Sequence, residues 1–235
     1  MVRGLIGKKL GMTQIFDKNG NVVPVTVVEA GPCVVVEVKE EGPKVCLGYQ
    51  PAKEKHVRKP QQGFFKKIGV GPLRILREFE SSGDGDYKVG QEIKVDIFKP
   101  GDYVEVSGVS IGKGFQGGMK RWHWGGGPAG HGSMHHRRVG AIGACADPSR
   151  TFKGTHMPGQ MGAKKVTVQG LHVMDVDVDK NLLLVKGAVP GAKNALVTIN
   201  RSLKKAFKSL DEEPKFVARK INPMKQSKAK AKGKK

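Results

Sequence analysis

Residues 108–162 read GVSIGKGFQGGMKRWHWGGGPAGHGSMHHRRVGAIGACADPSRTFKGTHMPGQMG, and this stretch decides how the whole chain is organised. It holds 15 of the 33 glycines, five of the seven histidines, both tryptophans, seven Lys or Arg and one acid, Asp147. Because it has almost no aliphatic run with which to build a core, burial within the segment cannot offset its ordering entropy. We therefore expect a polyanion outside the chain to order it.

The charge of the whole chain points to the same kind of partner. Its 235 residues include 42 Lys plus Arg and 21 Asp plus Glu, which gives a net charge of +21. Such a charge is typical of proteins that bind nucleic acid or an anionic membrane surface. The chain has no apolar run of about 18 residues and no signal-peptide core at its N-terminus. These features predict an intracellular protein that does not span a membrane.

Both flanks of the segment predict short β-strands separated by turns. The predicted strands are 13–16, 22–28, 33–39, 44–50, 73–80, 93–97, 103–107, 165–171, 173–178, 182–186 and 195–200, and turns or loops are predicted at 40–43 and 81–86. This spacing predicts a mostly β fold, either a barrel or a sandwich. Residues 1–107 and 163–200 would form its body, and 108–162 would project as a long basic loop.

Two helices and a tail complete the predicted organisation. A helix is predicted at 60–68, with Pro60 in its first turn and Gly69 after its end. A short basic helix is also predicted at 202–210. Residues 201–235 form a lysine-rich tail that is expected to be largely disordered when free. This tail is either a solubilising segment or a second polyanion-binding arm, and the charge of the chain favours the arm.

The motifs within 108–162 give little support to catalysis or to a cofactor. GKGFQG at 112–117 has the G-x-G-x-x-G spacing, but a glycine-rich stretch without the required acid follows, which argues against a dinucleotide site. The histidine spacing matches no zinc motif, so we expect no metal. The three cysteines are odd in number and widely spaced, which indicates neither disulfides nor a zinc site, and Cys145 is interpreted as a packed thiol.

The two tryptophans allow two interpretations. Trp122 and Trp124 could stack on bases beside Lys120 and Arg121, as aromatic side chains do in single-strand binders. Alternatively, one of the two could belong to a small cluster at the base of the loop.

Several long motifs occur in collinear order over residues 1 to about 200. They are GLIGKKLGMTQIF at 4–16, GKGFQG at 112–117 with KRW at 120–122, FKG at 152–154, MPGQMG at 157–162 and NLLLVKGAVPG at 181–191. Together they resemble the bacterial type of the ribosomal protein L3 family.

This resemblance implies a six-stranded β-barrel of the translation-protein type, with a small α/β insertion near residues 50–90. It also implies direct binding to large-subunit rRNA early in assembly, in the cytoplasmic ribosome and beside other large-subunit proteins. The loop would extend toward the peptidyl-transferase centre, with its tip near 143–149. Cys145 and Ala146 stand where some bacterial relatives have an Asn-Gln pair with a methylated Gln, so we expect no such methylation here.

We therefore predict a structural rRNA-binding protein with no cofactor, no small-molecule substrate and no membrane partner. The predicted rRNA-binding residues are Lys113, Lys120, Arg121, Trp122, His123, His131, His135, His136, Arg137, Arg138, Arg150, Lys153, His156 and Gln160. Cationic side chains would contact phosphates, and the aromatic rings would stack on bases or riboses. The alternatives are an RNA-modifying enzyme with a basic guide loop and a basic protein of membrane surfaces or chaperone type.

Overall fold

The computed structural model describes residues 2–17, 19–39, 44–81 and 87–210. The predicted turn at 40–43, most of the predicted loop at 81–86 and the tail from 211 onward lie outside these ranges.

The described residues are mostly β, which confirms the predicted class. The strands are β1 (Gly4–Phe16), β2 (Val22–Ala30), β3 (Cys33–Lys39), β4 (Lys44–Pro51), β5 (Leu73–Glu80), β6 (Glu92–Ile93), β7 (Tyr103–Val109), β8 (Gly114–Gln116), β9 (Gly159–Met161), β10 (Lys165–Asp177), β11 (Leu182–Lys186) and β12 (Leu196–Arg201). The α-helices are α1 (Lys59–Ile68) and α2 (Gly118–Trp122).

Six of the strands pair into a closed barrel in the order β1-β12-β7-β10-β11-β2. Every pairing around the ring is antiparallel, and Leu5 of β1 lies opposite Ile199 of β12. Side chains alternate between the two faces of a strand, so Val197 and Ile199 are buried while the residues next to them are only partly covered. Burying each such aliphatic side chain contributes about 1.5–3 kcal/mol. The barrel is therefore held together by an apolar core.

A second sheet, in the order β5-β4-β3-β6, packs beside the barrel and carries α1. The predicted helix at 60–68 is confirmed. Pro60 lies in its first turn, and Gly69 ends it in the left-handed conformation with φ +74°. The ring of Phe65 is buried, which fixes the face of α1 that points away from solvent.

Three local predictions were wrong. The strand predicted at 93–97 ends at Ile93 and continues as a 3-10 turn at Val95–Ile97. The two strands predicted at 165–171 and 173–178 are the single strand β10. Its pairing with β7 shifts register between Val168 and Leu171, so the strand continues where the alternation of its side chains is irregular.

The third correction concerns the helix predicted at 202–210, where the described backbone forms bends and turns. Ser202 N donates to Tyr103 O at 2.8 Å, and Lys208 N donates to Gly101 O at 3.1 Å. The backbone groups of this segment therefore pair with the barrel rather than with one another.

Candidate nucleic-acid interface

The projecting segment 108–162, here called the extension, leaves the barrel as a two-stranded stem. Its two ends continue β7 and β10, in which Val109 lies opposite Lys165. Beyond them, Lys113 N donates to Met161 O at 2.8 Å and Ala163 N donates to Ser110 O at 3.1 Å. Strands β8 and β9 continue this ladder outward. The base of the extension is thus a continuation of the barrel wall.

Two glycines permit close contacts in the extension that a side chain would prevent. Gly162 has φ +75°, and a Cβ there would collide with the backbone carbonyl of Ile111 across the stem. A Cβ at Gly118, in the first turn of α2, would collide with the ring of Trp124. Because glycine has no Cβ, the chain can bring a tryptophan directly against the helix backbone. Trp124 therefore packs within the chain, as the interpretation of a local cluster predicted for one tryptophan.

Above the stem, four residues form a clamp between the two arms of the extension: Arg121, Trp122, His156 and Met157. The rings of Trp122 and His156 are stacked, with centroids 3.9 Å apart and planes 6° from parallel. Trp122 Nε1 donates to Met157 O at 2.8 Å, and Arg121 Nη1 donates to the same oxygen at 2.6 Å. The guanidinium carbon of Arg121 also lies 4.9 Å from the Trp122 ring centroid. Three predicted rRNA-binding side chains thus also join the arms.

Beyond the clamp, backbone contacts fold the outgoing arm on itself. Gly127 N donates to His136 O at 3.1 Å. The His136 ring lies on the same turn, with Nδ1 2.8 Å from Pro128 O. Since a carbonyl oxygen only accepts, Nδ1 carries the proton in this contact. A groove of about 740 Å³ lies between the arms, and Trp124, His135, Arg138 and His156 are among the residues that line it.

Except for Arg121 in the clamp, the cations of the extension are exposed and have no carboxylate partner within the described part of the chain. Six predicted phosphate contacts are exposed and form no salt bridge with a described residue: Lys113, Lys120, Arg137, Arg138, Arg150 and Lys153. Arg150 lies over the ring of Phe152, with its guanidinium carbon 5.3 Å from the centroid. The extension is therefore a surface of strong positive potential that its own acid, Asp147, does not neutralise.

The remaining predicted side chains are also accessible. His123, His131, His135 and Gln160 are exposed. Across the ranges that the structure covers, no cluster of three or more His, Cys, Asp or Glu side chains has the arrangement of a metal site. In the same ranges no helix is both long and apolar enough to cross a membrane.

The interpretation of Cys145 as a packed thiol was wrong, because its side chain is exposed. The sequence could not distinguish a packed thiol from an exposed one, since small apolar neighbours such as Ala144 and Ala146 occur both in cores and in glycine-rich loops.

The sequence of this chain is similar to those of known proteins. A protein from Syntrophotalea carbinolica named "Large ribosomal subunit protein uL3" is 54% identical over 209 residues, which cover 87% of this chain and 100% of the relative. This chain belongs to the ribosomal protein L3 family. The family model described as "Ribosomal protein L3" matches residues 85–178, a range that includes the whole extension.

Other relatives of the same name support the membership in the L3 family. The protein from Heliobacterium modesticaldum is 52% identical over 206 residues, covering 86% of this chain and 98% of the relative. That from Brachyspira hyodysenteriae is 48% identical over 209 residues, covering 87% and 96%. The resemblance drawn from the motifs is thereby confirmed. The prediction that the protein is not an enzyme is confirmed as well, because the relatives are named as proteins of the large ribosomal subunit.

The sequence did not predict Met157 as a member of the clamp. Its contribution is a backbone carbonyl that accepts from both Arg121 and Trp122. Any residue type supplies a backbone carbonyl, so the sequence could indicate this contact only through the nearby Gly159. A Cβ there would lie 2.7 Å from Arg121 Nη1.

Proposed function

We propose that this L3 protein is a structural component of the large ribosomal subunit and binds large-subunit rRNA directly through the extension. The observation that carries the proposal is the set of exposed cations on 108–162, which have no carboxylate partner among the described residues. Phosphate groups of folded RNA supply the missing negative charge. The relatives' name, "Large ribosomal subunit protein uL3", supports the same assignment.

The two parts of the molecule would divide this task. The barrel, of the translation-protein type, and its adjoining sheet would form a body of residues 1–107 and 163–200. The α/β insertion expected near 50–90 corresponds to this sheet with α1, which spans 33–93 and so begins earlier than expected. The extension would enter the rRNA core early in assembly and approach the peptidyl-transferase centre with its tip near 143–149. The stem and the clamp support this arrangement, because they hold both arms together where they leave the body. Of the tail predicted at 201–235, residues 201–208 lie against the barrel, so only the part from 211 onward would add a second basic arm.

Arg137, Arg138, Arg150 and Lys153 would contact phosphates in this proposal, together with Lys113 and Lys120. The exposed rings of His123, His131 and His135 would stack on bases or donate to riboses. Arg121, Trp122, His136 and His156 would present one face to RNA and keep their contacts within the chain.

Binding of the full chain to large-subunit rRNA at several salt concentrations tests the proposal. If six to ten phosphates are neutralised, the affinity should fall by about 10³–10⁵ between 50 and 200 mM salt. Replacing Lys113, Lys120 and Lys153 together by Gln should reduce the slope of log affinity against log salt by roughly 2–3. A salt response that is flat for the native chain would reject rRNA binding by phosphate neutralisation.

A matched control separates local contact from overall charge. Lys88, Lys99 and Lys193 are exposed lysines outside the extension, and replacing all three by Gln removes the same charge. This control should retain most of the slope. Crosslinking of residues 143–149 within assembled particles would test the tip, and crosslinks that avoid the peptidyl-transferase nucleotides would contradict its proposed course.

A further inference from the structure

A second basic surface lies on the adjoining sheet, away from the extension in sequence. A groove of about 600 Å³ opens between the segment that follows β4 and the start of β5. Four of its lining side chains are Lys53, Lys55, His56 and Arg74. None of its lining residues is an acid, so the groove has a single sign of charge.

Backbone contacts fix the two walls of this groove relative to each other. Pro51 of β4 lies opposite Leu73 of β5, and Ala52 N donates to Pro72 O at 2.8 Å. Lys53 and Arg74 each directly follow one of these joined positions. Gln62 Nε2 donates to the carbonyls of Glu54 and Val57 at 2.7 and 2.9 Å. The segments that carry these cations are therefore held in place by strand pairing and hydrogen bonds.

Contacts within the described ranges do not account for the charge of this groove. Glu54 is the only acid in residues 51–74 and does not line the groove. Lys53, Lys55 and Arg74 are exposed and form no salt bridge with any residue that the structure describes. By contrast, Lys66 and Lys67 lie in the last turn of α1, where cations stabilise the helix dipole. A structural role thus accounts for those two lysines and not for the groove.

We infer that this groove is a second RNA-binding surface that holds the phosphate backbone of folded RNA. The inference rests on the proposed function and adds a contact that the extension does not provide. Phosphate is the favoured ligand because three of the lining side chains are permanent cations and His56 is the one aromatic ring among them, while Phe65 nearby is buried and Phe64 partly buried. Contacts of this kind position RNA without reading its sequence. The L3 protein would then bind RNA from two separate places, the groove on its body and the extension.

A triple variant of the groove, Lys53→Gln with Lys55→Gln and Arg74→Gln, tests this inference in the full chain. Its binding to large-subunit rRNA is compared with that of the native chain and of the control Lys88→Gln, Lys99→Gln and Lys193→Gln. Loss of three phosphate contacts should lower the salt slope by about 2–3, which corresponds to roughly 100- to 1000-fold weaker binding at 0.1 M salt. The loss should be similar for unrelated RNA duplexes, since no base is read.

The outcomes separate this inference from the proposed function. If the native chain does not bind rRNA in a salt-dependent way, the proposed function fails. If the native chain binds but the groove variant behaves like the control, the second surface is rejected and the role of the extension stands. If the groove variant binds RNA normally but is lost from assembled particles, the groove contacts a protein, and the inference is overturned.

A measurement on the native chain tests the inference even if the variant misfolds. Acylation of lysine amines, quantified by mass spectrometry, should be suppressed at Lys53 and Lys55 when rRNA is added. Lys88, Lys99 and Lys193 should stay reactive. Unchanged reactivity at Lys53 and Lys55 in the presence of bound rRNA would overturn the inference.

Discussion

The barrel and the extension are ordered by different kinds of contact within one chain. In the barrel, side chains such as Leu5, Val106 and Ile199 are fully buried. In the extension, Phe115 is 75% exposed and Met134 is 83% exposed, and the contacts that join its arms are backbone ladders, one ring stack and hydrogen bonds to a carbonyl. The barrel therefore supplies its own driving force for folding, whereas we predict that the distal extension depends on a partner for its order.

Removal of the extension is the strongest test of this difference. Since Val109 and Lys165 are paired neighbours, residues 110–164 can be replaced by a two-residue Asn-Gly hairpin turn. The shortened protein should still melt cooperatively, because its core is untouched, and it should be absent from ribosomal particles in sucrose gradients. A shortened chain that fails to fold would show that the extension contributes to the stability of the body.

Truncation of a core side chain should have the next largest effect. Ile199→Ala removes a fully buried side chain and should lower the free energy of unfolding by about 2–5 kcal/mol. The control Phe115→Ala truncates an exposed ring on the stem and should change it by less than about 0.5 kcal/mol. Urea denaturation of both variants gives the comparison. Equal losses would mean that the extension has a core of its own.

Disruption of the clamp should have a smaller, local effect. Trp122→Ala removes the stack on His156 and the hydrogen bond to Met157, worth together about 1–3 kcal/mol. Exchange of the stem amides of Lys113 and Ala163 should become roughly tenfold faster or more, while the barrel amides keep their protection.

Trp122→Phe retains a ring but not the donor, so it should have an intermediate effect on the stem amides. If Trp122→Ala leaves their exchange unchanged, the ladder alone holds the two arms together. In the free native protein, the amides of residues 137–156 should exchange much faster than those of the stem, and bound rRNA should protect them.

The smallest effect contrasts two thiols. Burial raises the pKa of Cys33 from 9.0 to about 11, whereas Cys145 is exposed. Iodoacetamide at pH 8 should therefore modify Cys145 in the native chain and Cys33 only after unfolding. Because the folded state disfavours the Cys33 thiolate, its contribution to stability is complete below pH 9 and is lost as the pH rises through about 11. Rapid labelling of native Cys33 would contradict the buried position.

Sequence anticipated the contacts that depend on local pattern. The strand predicted at 195–200 is β12, Leu196–Arg201, and Pro60 with Gly69 marked the ends of a helix. The composition of 108–162 predicted a basic projection without a core. The beginning of β1 at Gly4 was missed, because glycines and paired lysines interrupt its alternation.

Sequence alone therefore determined the β character of the body, the position of α1, the charge of the extension and, through its motifs, the L3 family. Tertiary structure alone decided that β1 closes against β12, that the segment after Arg201 lies along the barrel, and that Trp122 stacks on His156. It also brought Lys53 and Arg74 to the two walls of one groove. The physical reason is that the period and composition of a segment determine which of its sides is apolar. Strands that are distant in sequence pair through backbone N–H and C=O groups, which residue types share, so residue type does not specify which strands pair or in which register.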